Sequence, residues 1–276
     1  MSLKRIIEKS DIDKANIPSS YQILGDIMLI KFKPKIKHEI KEKVARAILN
    51  KIHNIKTVCE IKKVVGEFRQ PKTSFLAGNG SFVTIHKEHG ILYKLDVSKI
   101  MFSKGNLFER QRLIKQIGAN ETIVDMFAGI GYFSLGLAKF SGAKKIYAIE
   151  KNPVAFEFLK ENIKLNKIKN IRPILGDCKK ISEQKDMQNI ADRVIMGYLP
   201  NTRSFLSNAF KFLKPKGIVH YHDVFRKDEL WKKPIEILNK CADKNNCKIK
   251  IIFKKIVKSY APNVEHVVID VGIDKY

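Results

Sequence analysis

Three acidic residues each close a short apolar run: Asp125 after Thr122-Ile-Val, Glu150 after Lys145-Ile-Tyr-Ala-Ile, and Asp177 after Ile171-Arg-Pro-Ile-Leu-Gly. The first opens the glycine-rich segment Asp125-Met-Phe-Ala-Gly-Ile-Gly-Tyr-Phe-Ser134. Gly129 and Gly131 have no Cβ, which suits a sharp backbone reversal and the close approach of a ligand. A helix starting behind such a turn adds unpaired N–H groups. The chemistry is capture of a nucleoside-bearing molecule, and the glycines alone leave open which one. A dinucleotide site carries a third glycine where this chain has Ser134. Glu150 stands 19 positions after Gly131, where a carboxylate can accept both hydroxyls of a ribose.

These acids need a scaffold that brings several strand ends to one edge. Beyond residue 121 the pattern predicts strands over 122–127, 145–150, 171–175, 192–196 and 217–223. It predicts helices over 131–140, 153–165, 202–213 and 228–243. Such alternation specifies an α/β fold with a doubly wound parallel sheet, in which ligands lie across the carboxyl ends of the strands. Residues 248–257 and 264–271, joined by 259–263, predict a closing antiparallel pair.

The front of the chain reads as α+β. Two short strands within 21–32 pivot at Gly25-Asp26, and residues 38–52 place Ile40, Val44, Ala47, Ile48 and Ile52 on one helical face. A strand over 57–63 precedes an expected loop over 64–81, punctuated by Gly66, Pro71, Gly78 and Gly80. Residues 82–86 and 91–95 predict a hairpin turning at His89-Gly90. A helical hint covers 3–8. A strand-like stretch over 95–102 enters a helix near Gly105 or Asn106, with Asn106 and Glu109 at capping-box spacing and Ser103, Lys104, Arg110 and Arg112 expected at the surface. The expected domains are 1–104 and 105–276.

Charge narrows the partners. The 276 residues carry 53 Lys+Arg against 28 Asp+Glu, a net +25, and the front 116 residues hold more than half of that excess. This balance suits a polyanion, nucleic acid above all, against the alternative of lysines that only solvate the surface. Cys59, Cys178, Cys241 and Cys247 show no CxxC or other metal spacing, which predicts reduced thiols and a cytoplasmic protein. No apolar run reaches membrane-span length and no signal peptide is legible. His220 and His222 share one strand face but lack a third ligand at metal spacing, which leaves a structural or RNA-facing role. Phe102, Phe108 and Tyr198 either stack on a splayed base or fill the core.

Four segments carry a family resemblance: Asp125-x-Phe-Ala-Gly-x-Gly-x-Phe-Ser134, Phe102-Ser-Lys-x-x-x-x-Glu109-Arg, Asp192-Arg-Val-Ile-Met, and Lys258-Ser-Tyr-Ala-Pro-x-Val-x-His-Val-Val-x-Asp270. The glycine turn with Glu150 and Asp177 resembles the class I adenosylmethionine-dependent transferases. From about Pro18 onward the chain is similar to the family of the tRNA guanine-N1 methyltransferases and the wybutosine-synthesising aminocarboxypropyltransferases. The resemblance implies a Rossmann-like sheet with an antiparallel C-terminal strand behind a smaller α+β domain that contacts tRNA. It implies S-adenosyl-L-methionine as group donor, no metal, the anticodon region of tRNA-Phe as partner, and neither a membrane nor an obligatory protein partner. By position it implies cofactor contacts at Ser103, Arg110, Phe127 and Gly129, ribose binding by Glu150, and adenine contacts from Asp177 with Cys178.

A guanidinium at Arg110 suits the methionyl carboxylate; a helix-surface ion pair is the alternative, and Ser103 equally suits a helix cap. The two branches differ after the fourth strand. The methyltransferases carry Asn-Leu-Pro there, and this chain reads Gly197-Tyr-Leu-Pro200. The glycine, together with a start at the central domain, matches the aminocarboxypropyl branch. That branch moves the 3-amino-3-carboxypropyl group to C7 of 4-demethylwyosine at tRNA position 37, with N1-guanine methylation as the alternative. No residue is singled out as a general base.

Overall fold

The computed structural model describes residues 3–7, 12–103 and 106–276 in two compact units, Met1–Phe102 and Ser103–Tyr276. Lys104 and Gly105, at the expected domain boundary and helix start, lie outside the described residues, as does Glu8 at the end of the N-terminal helical hint.

In the first unit, α1 (Leu3–Ile6) precedes a sheet of β1 (Tyr21–Leu24), β2 (Ile27–Ile30), β3 (Thr57–Val65) and β4 (Gln70–Gly78), in that spatial order. The pivot at Gly25 has φ +54°, and β1 and β2 pair antiparallel as expected. Helix α2 (His38–Lys51) connects β2 to β3, which run parallel. It buries Val44, Ala45 and Ile48 in one core with Met28, Ile30 and Val58. The loop expected over 64–81 is instead mostly β4, paired antiparallel with β3 from Val65↔Gln70 to Thr57↔Gly78. Pro71 is tolerated because β4 lies at the sheet edge, and Gly66 and Gly78 sit in the turn and at the strand end rather than breaking the run. The hairpin β5 (Val83–Glu88) and β6 (Ile91–Asp96) turns at His89-Gly90, both with positive φ, as a two-residue turn requires. Residues 97–102 are not a strand: Asp96 accepts from the Ser98 N–H and hydroxyl and so folds the chain into a turn. Phe102 packs edge-on against His86 and Tyr93, so it belongs to the core and offers no stacking surface.

The second unit begins with α3 (Leu107–Gln116) and then alternates: β7 (Thr122–Asp125), α4 (Ser134–Phe140), β8 (Lys145–Glu150), α5 (Pro153–Leu165), β9 (Ile171–Leu175), α6 (Cys178–Ile181), β10 (Ala191–Met196), α7 (Leu206–Phe212), β11 (Leu213–Arg226), α8 (Lys232–Lys244), β12 (Cys247–Ala261) and β13 (Val264–Lys275). The sheet order is β12-β13-β11-β10-β7-β8-β9. Neighbours from β11 to β9 run parallel, and β13 is antiparallel to both β11 and β12. This is the doubly wound α/β sheet with an antiparallel C-terminal strand. Residues of α6, α7 and α8 share one core with β10, β11 and β13.

Helix starts differ from expectation where backbone geometry decides. The helix after the glycine turn begins at Ser134, because Gly131 still holds φ +97°. Residues 202–205 form a 3-10 turn before α7, and α8 starts at Lys232, after a 3-10 turn over Lys227–Glu229 and a left-handed Trp231. β11 also runs beyond both ends of its expected span.

A buried charge network fixes α3 to the sheet. The Arg112 guanidinium donates to Asp270 on β13 through both terminal nitrogens and to Glu109 through Nε. Asp270 also meets His220 Nδ1 at 2.7 Å. His220 Nε2 lies 3.0 Å from Arg193, which is bound to Glu121. Arginine only donates, so Nε2 accepts, and His220 is a neutral imidazole whose Nδ1–H points at Asp270. Burial holds this imidazole below its ordinary range, and its hydrogen bonds with Arg112 and His220 outweigh burial to hold Asp270 well below the usual carboxylate range. Glu109 is thereby engaged by Arg112. The capping box is not formed: Asn106 occupies the N-cap position without a side-chain cap bond. Arg110 and Arg112 are likewise buried or nearly so, not surface cations.

Candidate active site

The site grows from the end of β7. Asp125 is fully buried; its Oδ2 accepts from the Ser134 hydroxyl at 2.6 Å and its Oδ1 from the Phe127 N–H. This clamps the two ends of the glycine turn, and burial pushes the carboxyl up to about 6. Within the turn Gly129 has φ +58° and Gly131 φ +97°. A Cβ on Gly131 would lie 2.6 Å from Leu135 Cγ, so a side chain there has neither the backbone conformation nor the room.

The turn is joined to the end of β8. The Gly129 N–H donates to Glu150 Oε2 and the Asn152 N–H to Oε1, each at 2.7 Å. Burial raises the Glu150 carboxyl against these bonds. A carboxylate offers about four lone-pair sites in all, so these backbone donors leave it some acceptor capacity. At the end of β9, Asp177 caps α6 through the Lys179 N–H and pairs with Lys151 at 3.1 Å. Burial works to raise the Asp177 carboxyl, and these contacts outweigh it to hold it below its ordinary value. Cys178 departs from the others: its thiol is buried in the core cluster and pushed up to about 12 by burial.

On the far side, Phe127 stacks on Tyr198 with centroids 5.2 Å apart and meets Phe205 edge-on at 5.0 Å. Lys179 lies over Phe205 at 4.5 Å. The loop carrying Tyr198 is held by Asp223, which accepts from the Asn201 and Arg203 N–H groups, the Arg203 guanidinium and the Tyr221 hydroxyl. On the near side, Arg110 is 6% exposed, donates to the Ser103 carbonyl at 3.0 Å and lies 5.6 Å from the Tyr132 ring. Tyr132 packs over Gly129. Lys258 of β12 donates to the Ser103 hydroxyl at 3.1 Å, so that hydroxyl is not a helix cap.

Contacts therefore run unbroken around the strand ends: Ser103 to Arg110, Tyr132, Gly129 and Glu150, then Lys151, Asp177, Lys179, Phe205 and the Phe127–Tyr198 pair. Six of the seven residues proposed from sequence are brought into this chain of contacts, and Cys178 adjoins it by its backbone. Tyr132, Lys151, Phe205, Lys258 and Asp223 were missed as site residues. Tyr132 and Lys258 lie inside the segments that signalled the family, whereas no local signal marks Asp223, whose role depends on a loop 20 residues away. His220 and His222 are buried. His222 Nδ1 meets His266 Nε2 at 3.0 Å, and the His222 ring packs near Phe133. The role is structural rather than RNA-facing. Among the described residues no group of three or more His, Cys, Asp or Glu is arranged to hold a metal.

Gly197 directly follows β10. A Cβ built there would lie 3.0 Å from the Phe133 ring, so a side chain at this position requires the ring to move.

Comparison with known proteins gives two family models: the TRM5/TYW2 methyltransferase domain over residues 84–250 and the TYW2 N-terminal domain over residues 2–81. The tRNA(Phe) (4-demethylwyosine(37)-C(7)) aminocarboxypropyltransferase of Methanocaldococcus jannaschii is 45% identical over 255 residues, covering 92% of this chain and 98% of its own. The tRNA (guanine(37)-N(1))-methyltransferase Trm5b of Pyrococcus abyssi is 36% identical, covering 92% of this chain and 74% of its own. The crystal structure of M. jannaschii TYW2 in complex with AdoMet superposes with a TM-score of 0.75 at 39% identity, covering 93% of this chain and all of that one. With an adenosylmethionine-type cradle, a β13 that reverses the sheet, and matches along nearly its whole length, this chain belongs to the TRM5/TYW2 family of tRNA-modifying transferases.

Proposed function

We propose that this chain transfers the 3-amino-3-carboxypropyl group of S-adenosyl-L-methionine to C7 of 4-demethylwyosine at position 37 of tRNA-Phe, in the synthesis of wyosine derivatives. The observation that carries the choice is Gly197. With the Phe133 ring packed against it, it leaves no side chain after β10 to address a nitrogen nucleophile. N1-guanine methylation is the second reading, favoured by the similarity to Trm5b.

The cradle fits the donor. The acceptor capacity left on Glu150 suits a ribose hydroxyl, and Gly129 and Gly131 give the turn the positive-φ backbone that brings its N–H to that carboxylate. In this reading Asp177 and the Cys178 main chain meet the adenine edge, and Phe127 is a further cofactor contact. The sulfonium supplies an activated carbon, so the protein's task is orientation. In this reading Arg110, held by the Ser103 carbonyl beside the Tyr132 ring, pairs with the methionyl carboxylate and thereby sets which carbon faces the acceptor. Asp223 keeps the Tyr198 loop in place at the opposite side.

The partner is tRNA, met at its anticodon region. The N-terminal domain, residues 1–104, supplies part of that contact and residues 105–276 the catalytic part, with no obligatory protein partner. No described helix is long and apolar enough to cross a membrane, and free thiols at all four cysteines support a cytoplasmic location. The test is which carbons of S-adenosylmethionine enter precursor-bearing tRNA; entry of the methyl carbon alone overturns the reading.

A further inference from the structure

The first turn of α3 exposes two apolar side chains, Leu107 at 36% and Phe108 at 52%. They lie between Ser103, which belongs to the cradle, and the buried pair Glu109 and Arg110. Phe108 is not bare on both faces. Lys255 of β12 holds its ammonium 3.4 Å from the ring centroid, leaving the remainder of the ring open to solvent.

The strand carrying this lysine is shaped to present it. β12 shifts register between Ile251 and Phe253, between Ile256 and Lys258, and between Ser259 and Ala261; bulges re-aim side chains that a regular strand would alternate. On the α8 side, Lys254 covers the Trp231 ring. On the α3 side, Phe253 lies under Arg112, Lys255 meets Phe108, and Lys258 reaches Ser103. Lys255 and Lys258 thus share a side of β12, and three residues of extended chain span about 10 Å. An exposed ring with a cation against it stands one nucleotide's reach from the cradle, on a chain with a net charge of +25.

We infer that Phe108 and Lys255 form a platform for a nucleotide of the tRNA anticodon loop next to the one being modified, the ring stacking on its base and the ammonium meeting its phosphate. Aromatic rings accept any base by stacking, and basic side chains track the backbone. The inference rests on the tRNA reading above. A lysine that merely guards a sheet edge, with its stem packed on a phenylalanine, would have the same appearance in the free protein and behave differently in a binding series.

The experiment measures affinity for precursor-bearing tRNA-Phe and, separately, for S-adenosylmethionine, in the full chain and its F108A, F108L, F108W, K255A and K240A variants. F108A is expected to weaken tRNA binding by roughly 10-fold or more, the loss typical of one base stack, and F108W to restore it. F108L, which keeps the apolar bulk without a ring, should resemble F108A. K255A should weaken tRNA binding and flatten its salt dependence, as loss of a phosphate contact does. K240A, an exposed lysine of α8, should leave it unchanged. S-adenosylmethionine affinity should be the same throughout. Unchanged tRNA affinity in F108A, or wild-type behaviour of F108L, overturns the platform while leaving the enzymatic reading intact. Failure of the wild-type protein to bind precursor tRNA overturns both.

Discussion

At the scale of single residues, Glu150 does two things at once. It ties the glycine turn to the start of α5 through two backbone N–H groups, and in the proposed function it also binds the donor's ribose. Glu150→Ala is therefore expected to weaken S-adenosylmethionine binding by roughly 10- to 100-fold, the scale of losing charge-assisted hydrogen bonds at a dry site. Affinity for tRNA should be retained. Calorimetry on the two ligands separates these, and unchanged cofactor affinity would remove Glu150 from the ribose role. Asp177 is the more exposed of the two acids and is balanced by Lys151, so its contribution is expected to be more sensitive to salt.

At the scale of elements, the position of α3 depends on the Arg112–Asp270–His220–Arg193 network and not on its N-cap. Asp270→Asn leaves Arg112 and His220 short of a buried charge partner, and is expected to cost about 3–5 kcal/mol of stability. Asp274→Asn, whose lysine partner is 3.7 Å away at the surface, should cost less than about 1 kcal/mol. Urea denaturation of the two variants checks the contrast, and equal losses would contradict it. This network also explains what could be read from the chain. The strand ends carrying Asp125, Glu150 and Asp177 were legible because their apolar runs, turns and caps are local. Strand β4 was missed because its partner, not its own alternation, makes it a strand. The capping box at Asn106 and Glu109 was misread because Arg112, reaching from Asp270 more than a hundred residues later, takes the glutamate. The burial of Arg110 was not legible, since it depends on packing beside the Tyr132 ring.

At the scale of the whole molecule, three imidazoles are buried as neutral groups in the sheet that carries the site. His266 is the one with a definite value, pushed by burial and by Lys258 to about 4 from 6.5. A group whose folded pKa is depressed binds more protons when unfolded, so its contribution is intact above about 6.5 and is lost as pH falls toward about 4. Asp125, raised to about 6, acts in the opposite sense over part of this window, so the informative quantity is a difference. The stability of the wild-type protein minus that of His266→Gln is expected to fall by on the order of 1–3 kcal/mol between pH 7 and pH 4. A pH-independent difference in chemical denaturation would show that His266 is not held neutral. The same sheet carries the strand ends that hold Asp125, Glu150 and Asp177. The most direct measurement supplies S-adenosylmethionine labelled separately in the methyl and carboxypropyl carbons to tRNA-Phe bearing 4-demethylwyosine, and follows both labels into nucleoside 37 and into the released nucleoside. The account predicts carboxypropyl label in the tRNA and methyl label in released methylthioadenosine, in equal amounts. Methyl label in the tRNA, with the carboxypropyl carbons leaving in S-adenosylhomocysteine, would contradict it.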